Sequence, residues 1–291
     1  MNFKEAQVFV VALMTSLLFF SCQKDDTIVQ SLFDLSGAPL SYDDSNASRH
    51  LNIVAVSMIC SKDMEENLEA ICQKAIDAKN GYPETEIILF GESVLGWYID
   101  DENPEPYQRS IAETIPGPAT DSIAKIAKTI GSHIGFGLTE INAGDLYNSF
   151  VLMDPDGEIM AIHRKVNITP EDIATGIIPA AKVDSSVTMV QINNIKVGMI
   201  ICADVNGFWL TRELINREVE VILHPMASEV PMFAIDAVSR QFNAWEVFAN
   251  RYGPEMERQY SGTVFIADPS GTIRTGDSGK EDFYFYKIGV N

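Results

Sequence analysis

Short, nearly all-apolar runs recur along the chain, separated by segments whose apolar residues return every three or four positions. "LNIVAVSMI" (51–59) is the first such run, the pattern of a strand covered on both faces. "DMEENLEAICQKAIDAKNG" follows, with Met64, Leu68, Ile71, Cys72 and Ala75 at helical spacing, Asp63 suited to cap the start and Gly81 to mark the stop. "EIILFGES" is again a buried-strand pattern. "PATDSIAKIAKTIG" is a second amphipathic helix, carried by Ile123, Ile126, Ala127 and Ile130 and closed by Gly131. "HIGFGLTE", "YNSFVLMD" and "EIMAIHRKV" are successive strands, the last two joined by a Pro-Asp-Gly turn. "VTMVQI" and "KVGMIIC" form a hairpin across Asn193-Asn194. A helix near Leu210–Arg217 precedes "VEVILHP", and another near Ile235–Trp245 precedes "VFANR". "GTVFIAD", a Pro-Ser-Gly turn and "DFYFYKIGV" close the chain. Helices alternate with strands early and late, with hairpins between them. That order predicts a layered α/β domain with mixed sheets, not a simple parallel nucleotide-binding sheet, and no Gly-rich phosphate loop follows the first strand.

The first residues follow a different pattern. "MNFKEAQVFVVALMTSLLFFSC" has an early lysine and an apolar run from Val8 to Phe20, ending at Ser21-Cys22. A run this short suits the core of a signal peptide better than a membrane span. A cysteine directly after it resembles the lipobox of bacterial lipoproteins, in which the peptide is cut before the cysteine and the thiol carries lipid. The plainer alternative is an uncleaved anchor with an incidental cysteine. The expected organisation is a lipoprotein signal peptide over 1–21, an acidic tether over 22–48, and one folded domain over 49–291. The expected location is the exported side of a bacterial membrane, periplasmic or cell-surface, held through lipid on Cys22 only.

Charge narrows the partners. The 291 residues carry a formal net charge of −20 at pH 7, so a phosphate backbone would be repelled and nucleic acid is an unsuitable partner. If Cys22 is lipidated, Cys60, Cys72 and Cys202 remain; an odd count leaves at least one thiol free, and the first two fit buried core positions. No Cys-x-x-Cys pair exists and the four histidines are scattered, so a metal site has little support.

Three apolar runs end in groups able to do chemistry: Glu92 after "IILFG", Lys165 after "IMAIHR", and Cys202 after "VGMII". Strand ends collect at a sheet edge, where sites form. A free thiol is only partly ionised at neutral pH and needs a base to take its proton; Glu92 suits that role if burial raises its pKa. Attack on a carbonyl or nitrile carbon builds negative charge that Lys165 and the backbone N–H of Ala203 can hold. Glu92→Gln is then expected to raise the pH needed to alkylate Cys202. The alternative for these residues is an ordinary ion pair and a core thiol. Phe208 and Trp209 are candidates for the pocket wall or for core packing.

The three segments, in this order, resemble the carbon–nitrogen hydrolase (nitrilase) superfamily. "FGESVLGW" resembles its glutamate motif, "HRKVNITPED" its lysine motif and "GMIICADVNGFWLTREL" its cysteine motif, and the connecting text agrees over roughly residues 51 to 290. The resemblance implies a four-layer αββα sandwich with two mixed β-sheets. It also implies a catalytic triad of Glu92, Lys165 and Cys202, and thioester chemistry on small amide or ureido substrates, with no cofactor. A homodimer or higher homo-oligomer is implied as well. Family members commonly add a second glutamate; Glu171 is the expected residue, with Asp172 the alternative. Glu140 is expected in a supporting or structural place. The "VNGFW" that follows the cysteine motif departs from the aromatic-Pro-Glu turn of many members. Rival readings are nitrile hydrolysis or N-acyl transfer by the same triad, and a silent binding or scaffold protein on the same fold.

Overall fold

The computed structural model describes residues 41–183, 186–230 and 236–291. The signal peptide, Cys22 and most of the tether lie outside the described residues. In chain order the first half holds β1 (Arg49–Ile59), α1 (Met64–Gly81), β2 (Ile87–Leu89), α2 (Pro104–Ile111), α3 (Pro118–Ile130), β3 (His133–Asn142), β4 (Asp145–Met153), β5 (Ile159–Arg164) and α4 (Pro170–Ala174). The second holds β6 (Met189–Ile192), β7 (Ile195–Met199), a 3-10 turn (Cys202–Asn206), α5 (Phe208–Asn216), β8 (Val221–Met226), α6 (Asp236–Phe242), β9 (Trp245–Glu255), β10 (Arg258–Ser261), β11 (Val264–Ala267), β12 (Ile273–Asp277) and β13 (Asp282–Val290).

Two mixed sheets pack face to face. One runs β13-β1-β2-β3-β4-β5, with β1, β2 and β3 parallel and the others antiparallel. The other runs β6-β7-β8-β9-β11-β12, with β7, β8 and β9 parallel. The last residues of β1 pair with β9 (Met58 with Arg251, Ile59 with Tyr252), which makes the ladder continuous at one corner.

Side-chain alternation along β1 explains the layers. Leu51, Ile53 and Ala55 face inward and pack with Leu223 of β8 and Val247 of β9. Val54, Val56 and Met58 face outward, onto Ile71 and Ala75 of α1 and Ile123 and Ala127 of α3. On the far side Ile200 and Ile222 meet Leu210 and Leu214 of α5 and Val238 and Phe242 of α6. Helices therefore cover the outer face of each sheet, and the expected four-layer αββα sandwich is the architecture. Burying each such side chain is worth about 1.5–3 kcal/mol, so the inter-sheet layer dominates the core.

Local signals set the helix ends. The Asp63 carboxylate accepts from the N–H groups of Glu65 (2.8 Å) and Glu66 (3.1 Å), capping α1. Gly131 ends α3 at φ 64°, a left-handed position that costs glycine little. The expected helix before β9 is shorter than predicted, Asp236–Phe242, because Trp245 already begins the strand. Helix α2 was not anticipated. The tether also ends earlier than expected: Tyr42 packs edge-on against Trp245 (centroids 5.5 Å), donates its O–H to Gly289 O (3.1 Å) and accepts from Arg274 Nη2 at its own carbonyl (2.6 Å). Residues from Tyr42 on are docked on the domain.

Candidate active site

Glu92, Lys165 and Cys202 each lie just beyond a strand, past β2, β5 and β7 respectively. The turn after β2 lies hard against β3. A Cβ on Gly137 would sit 2.4 Å from the Ser93 nitrogen and 2.9 Å from Glu92 Cα, so only glycine admits the turn. Ser93 itself takes φ 49°. Buried Arg251 holds this turn from the other side, donating to the carbonyls of Ser93 (2.8 Å) and Gly96 (2.7 Å) while pairing with Glu255. Glu92 N–H donates to Met226 O at the end of β8 (3.3 Å), which ties the two sheets together beside the site.

Lys165 and Glu92 meet in a fully buried pair, Nζ to Oε1 at 2.8 Å. A second carboxylate reaches the same ammonium, and it is Asp172, with Oδ2 at 2.8 Å from Nζ. This corrects the expectation of Glu171, which is exposed. The physical reason is a capping box at the start of α4. Thr169 caps the helix and Asp172, three residues on, turns back to accept from Thr169 N–H (2.9 Å), which aims its carboxylate into the domain. Glu171 lies on the outward side of the same turn. Asp172 also accepts from Tyr98 O–H (3.0 Å) and Asn148 Nδ2 (3.3 Å), so both its oxygens are engaged.

Glu92 differs in that respect. Its Oε1 takes Lys165 Nζ and Asn148 Nδ2 (2.7 Å), whereas its buried Oε2 has no hydrogen-bond partner among the described residues. Burial raises the Glu92 pKa, the Asp172 charge adds to that, and Lys165 and Asn148 oppose it. Burial disfavours the Lys165 ammonium, but the surrounding negative groups, Glu92 foremost, outweigh it and hold the pKa well above its ordinary value. At Cys202 burial comes first again and pushes the thiol pKa up; the Glu92 charge pushes the same way and Lys165 opposes. These surroundings favour the thiol over the thiolate.

Cys202 opens the 3-10 turn with φ 45°, a strained conformation for a residue with a Cβ. Asp204 secures the turn. Buried completely, it accepts from the N–H groups of Val166 (2.9 Å), Asn167 (2.8 Å) and Ile201 (3.0 Å) and pairs with His163 Nε2 (2.8 Å). One side chain thus fixes the Lys165 loop and the Cys202 turn to each other. Burial alone would raise the Asp204 pKa, but the His163 bond and charge and the backbone donors lower it overall.

Cys202 borders a cavity of about 430 Å³ lined by Val205, Asn206, Met226, Ser228, Val238 and Gln241 among others. Phe208 and Trp209 do not line it; Phe208 is 78% exposed and Trp209 packs beside Leu210 and Leu214. Glu140 is structural, bound by Arg164 (2.7 and 2.5 Å) and Ser149 (2.7 Å). Cys60 is buried, its thiol pushed up to about 12 by burial, and Cys72 is half-buried on α1. Sequence reasoning missed Asn148, Tyr98 and Arg251. For Asp172 the Thr169-to-Asp172 spacing was the available signal.

The carbon–nitrogen hydrolase family model matches residues 47–282, and the chain belongs to that family. It is thus an enzyme acting on non-peptide C–N bonds. A hydrolase encoded in the pqqF 5′ region of Pseudomonas protegens is 28% identical over 217 residues, covering 72% of each chain. The omega-amidase NIT2 of Xenopus tropicalis is 26% identical over 59% of this chain, and the match spans 62% of its own length, less than two thirds. Among solved structures an amidase from Nesterenkonia sp. superposes with a TM-score of 0.72 at 18% identity, covering 85% of this chain and 94% of that one. A variant of that amidase carries the acetamide moiety of fluoroacetamide covalently at its active-site cysteine.

Proposed function

We propose that this chain hydrolyses small amides through a thioester on Cys202. The observation that carries the reading is the asymmetry of Glu92: one oxygen is fixed by Lys165 and Asn148, the other is buried with no amide or ammonium donor among the described residues, and the Cys202 thiol lies within reach of the carboxyl. That free oxygen is the base. As the substrate carbonyl arrives, the thiol proton passes to Glu92 Oε2, the sulfur bonds to carbon, and the C=O π pair moves to oxygen. Lys165 and the Ala203 N–H hold that charge; one such donor is worth about 3–4 kcal/mol of barrier. Glu92 then gives its proton to the departing nitrogen. Water, deprotonated by Glu92, cleaves the thioester, and the thiol is restored.

Asp172 keeps Lys165 charged and in place. The cavity supports an uncharged acyl group, since among the described residues its lining carries no ionisable side chain other than the thiol. The relatives named as amidases support amides ahead of nitriles. The test is a screen of small amides and ureido acids for released ammonia, with mass spectrometry for an acylated Cys202. Ammonia with carbon dioxide would indicate a carbamoyl substrate. Turnover undiminished in folded Cys202→Ala would end the proposal.

A further inference from the structure

Against the backbone of Cys202 lies a buried pair that the reaction as written does not use. His224 on β8 and Glu246 on β9 are both fully buried. The strands are parallel, with Ile222 opposite Glu246 and His224 opposite Phe248, so residues 222 and 224 share a face with 246 and 248. That register brings Glu246 Oε1 within 2.8 Å of His224 Nδ1. The other ring nitrogen, Nε2, lies 3.1 Å from the backbone oxygen of Cys202. The Phe248 ring stands edge-on to the imidazole at 5.2 Å, which limits its rotation.

Hydrogen-bond chemistry fixes the proton on one nitrogen. A carbonyl oxygen only accepts, so Nε2 carries hydrogen and donates to Cys202 O. The Glu246 carboxyl can meet Nδ1 in two ways, as a carboxylate accepting from a doubly protonated ring or as an acid donating to a neutral one. In both cases the Nε2–H stays aimed at the Cys202 carbonyl.

That carbonyl belongs to the same planar peptide as the Ala203 N–H. In a trans peptide the C=O and N–H point in opposite directions, so holding one aims the other. A hydrogen bond accepted by the carbonyl also polarises the amide and strengthens its N–H as a donor. The device acts next to a strained residue, since Cys202 itself sits at φ 45°.

We propose that His224, oriented by Glu246, is a positioning residue that aims and polarises the Cys202–Ala203 peptide, whose N–H receives the oxyanion. The proposal rests on the reading of Cys202 as nucleophile. It predicts that the pair matters for reactions that build an oxyanion and not for those that only need the sulfur.

Two probes of the full-length protein separate these demands. Acetylation by p-nitrophenyl acetate, read as a p-nitrophenolate burst, passes through a tetrahedral oxyanion. Alkylation by iodoacetamide is a displacement at a saturated carbon and builds none. In His224→Leu, acetylation should slow by about tenfold or more relative to alkylation, less than the ~10²–10³ for outright loss of an oxyanion donor. His224→Gln, whose amide can reach the position of Nε2 and donate, should recover most of the loss, and Glu246→Gln should act nearly as wild type because its amide can donate to Nδ1. If His224→Leu does not fold, Glu246→Leu, which leaves the ring without its partner, makes the same comparison. Acetylation and alkylation falling together, or His224→Leu matching wild type in both, would overturn the proposal. A p-nitrophenolate burst that persists in Cys202→Ala would instead overturn the reading of the nucleophile.

Discussion

Replacing Asp172 with asparagine tests which carboxylate completes the site. The side chain keeps its shape and loses its charge. Oδ2 receives Lys165 Nζ and Thr169 N–H, both obligatory donors, so the asparagine oxygen must occupy that place. The amide nitrogen then faces Tyr98 O–H, which can turn to accept, and Asn148 Nδ2, which cannot. Lys165 retains Glu92 at 2.8 Å, so the ammonium is not left alone. A hydrogen bond to a charged group is worth about 1.5–3 kcal/mol and a helix cap about 0.5–2 kcal/mol; with both weakened and neither abolished, the expected cost is about 2–3 kcal/mol. For a domain of this size that lowers Tm by roughly 4–12 °C. Glu171→Gln changes an exposed carboxylate and should stay within about 0.5 kcal/mol. Thermal melts of both variants, paired with amide turnover, make the comparison. Turnover should fall with Asp172→Asn even at temperatures where the variant is fully folded, because Lys165 loses one of the two anions that position it. A Glu171→Gln variant more damaged than Asp172→Asn would refute the assignment.

Cys202→Ala should abolish turnover and leave Tm almost unchanged, whereas Cys60→Ala should keep turnover and cost about 1–2 kcal/mol for the buried volume removed, as melts and activity assays would show. Glu92→Gln should stop turnover yet move the pH midpoint of iodoacetamide alkylation of Cys202 downward, because after burial the Glu92 charge is what raises the thiol while Lys165 favours the thiolate; this reverses the expectation from sequence, and an upward midpoint would restore it. The folded-state pKa of Asp204 lies below its ordinary 3.8, so its stabilising share is present above that value and is lost as pH falls through the lower folded value; urea melts of wild type and Asp204→Asn should converge on acidification and separate at neutral pH. We propose that Cys22 bears lipid, so that Cys22→Ala should lose membrane association in fractionation and leave the catalytic domain folded.

The meeting of Glu92, Lys165 and Cys202 was legible because each is a polar residue closing an apolar run, and strand ends converge at sheet edges whatever the register. The layers were legible for the same reason: alternation along 51–59 already separates two buried faces. What failed was direction at single-residue scale. Glu171 and Asp172 are adjacent and chemically alike, and only the reach of Asp172 back to Thr169 decides which one turns inward. Helix α2 was missed because "NPEPYQRSI" carries two prolines, yet Pro104 at the first turn gives up an N–H that would have no partner there. His224 and Glu246 were hidden differently. Each sits inside a strand, and they face one another only through the pairing of β8 with β9, which no local pattern encodes.

The charge balance of the site explains why two buried carboxylates are useful rather than merely costly. Glu92 and Asp172 both lie 2.8 Å from one ammonium, that of Lys165. Burial and the Glu92 charge both disfavour ionising the Cys202 thiol in this low-dielectric space. In the mechanism proposed above, attack on a carbonyl moves the thiol proton to Glu92 and the negative charge to the substrate oxygen, so the total does not change. Charge is relocated, not created, and the barrier avoids the desolvation cost of a free thiolate. The carboxylates cannot exchange roles. Asp172 has both oxygens engaged by Lys165, Thr169, Tyr98 and Asn148, whereas Glu92 has one oxygen, Oε2, without such a donor among the described residues.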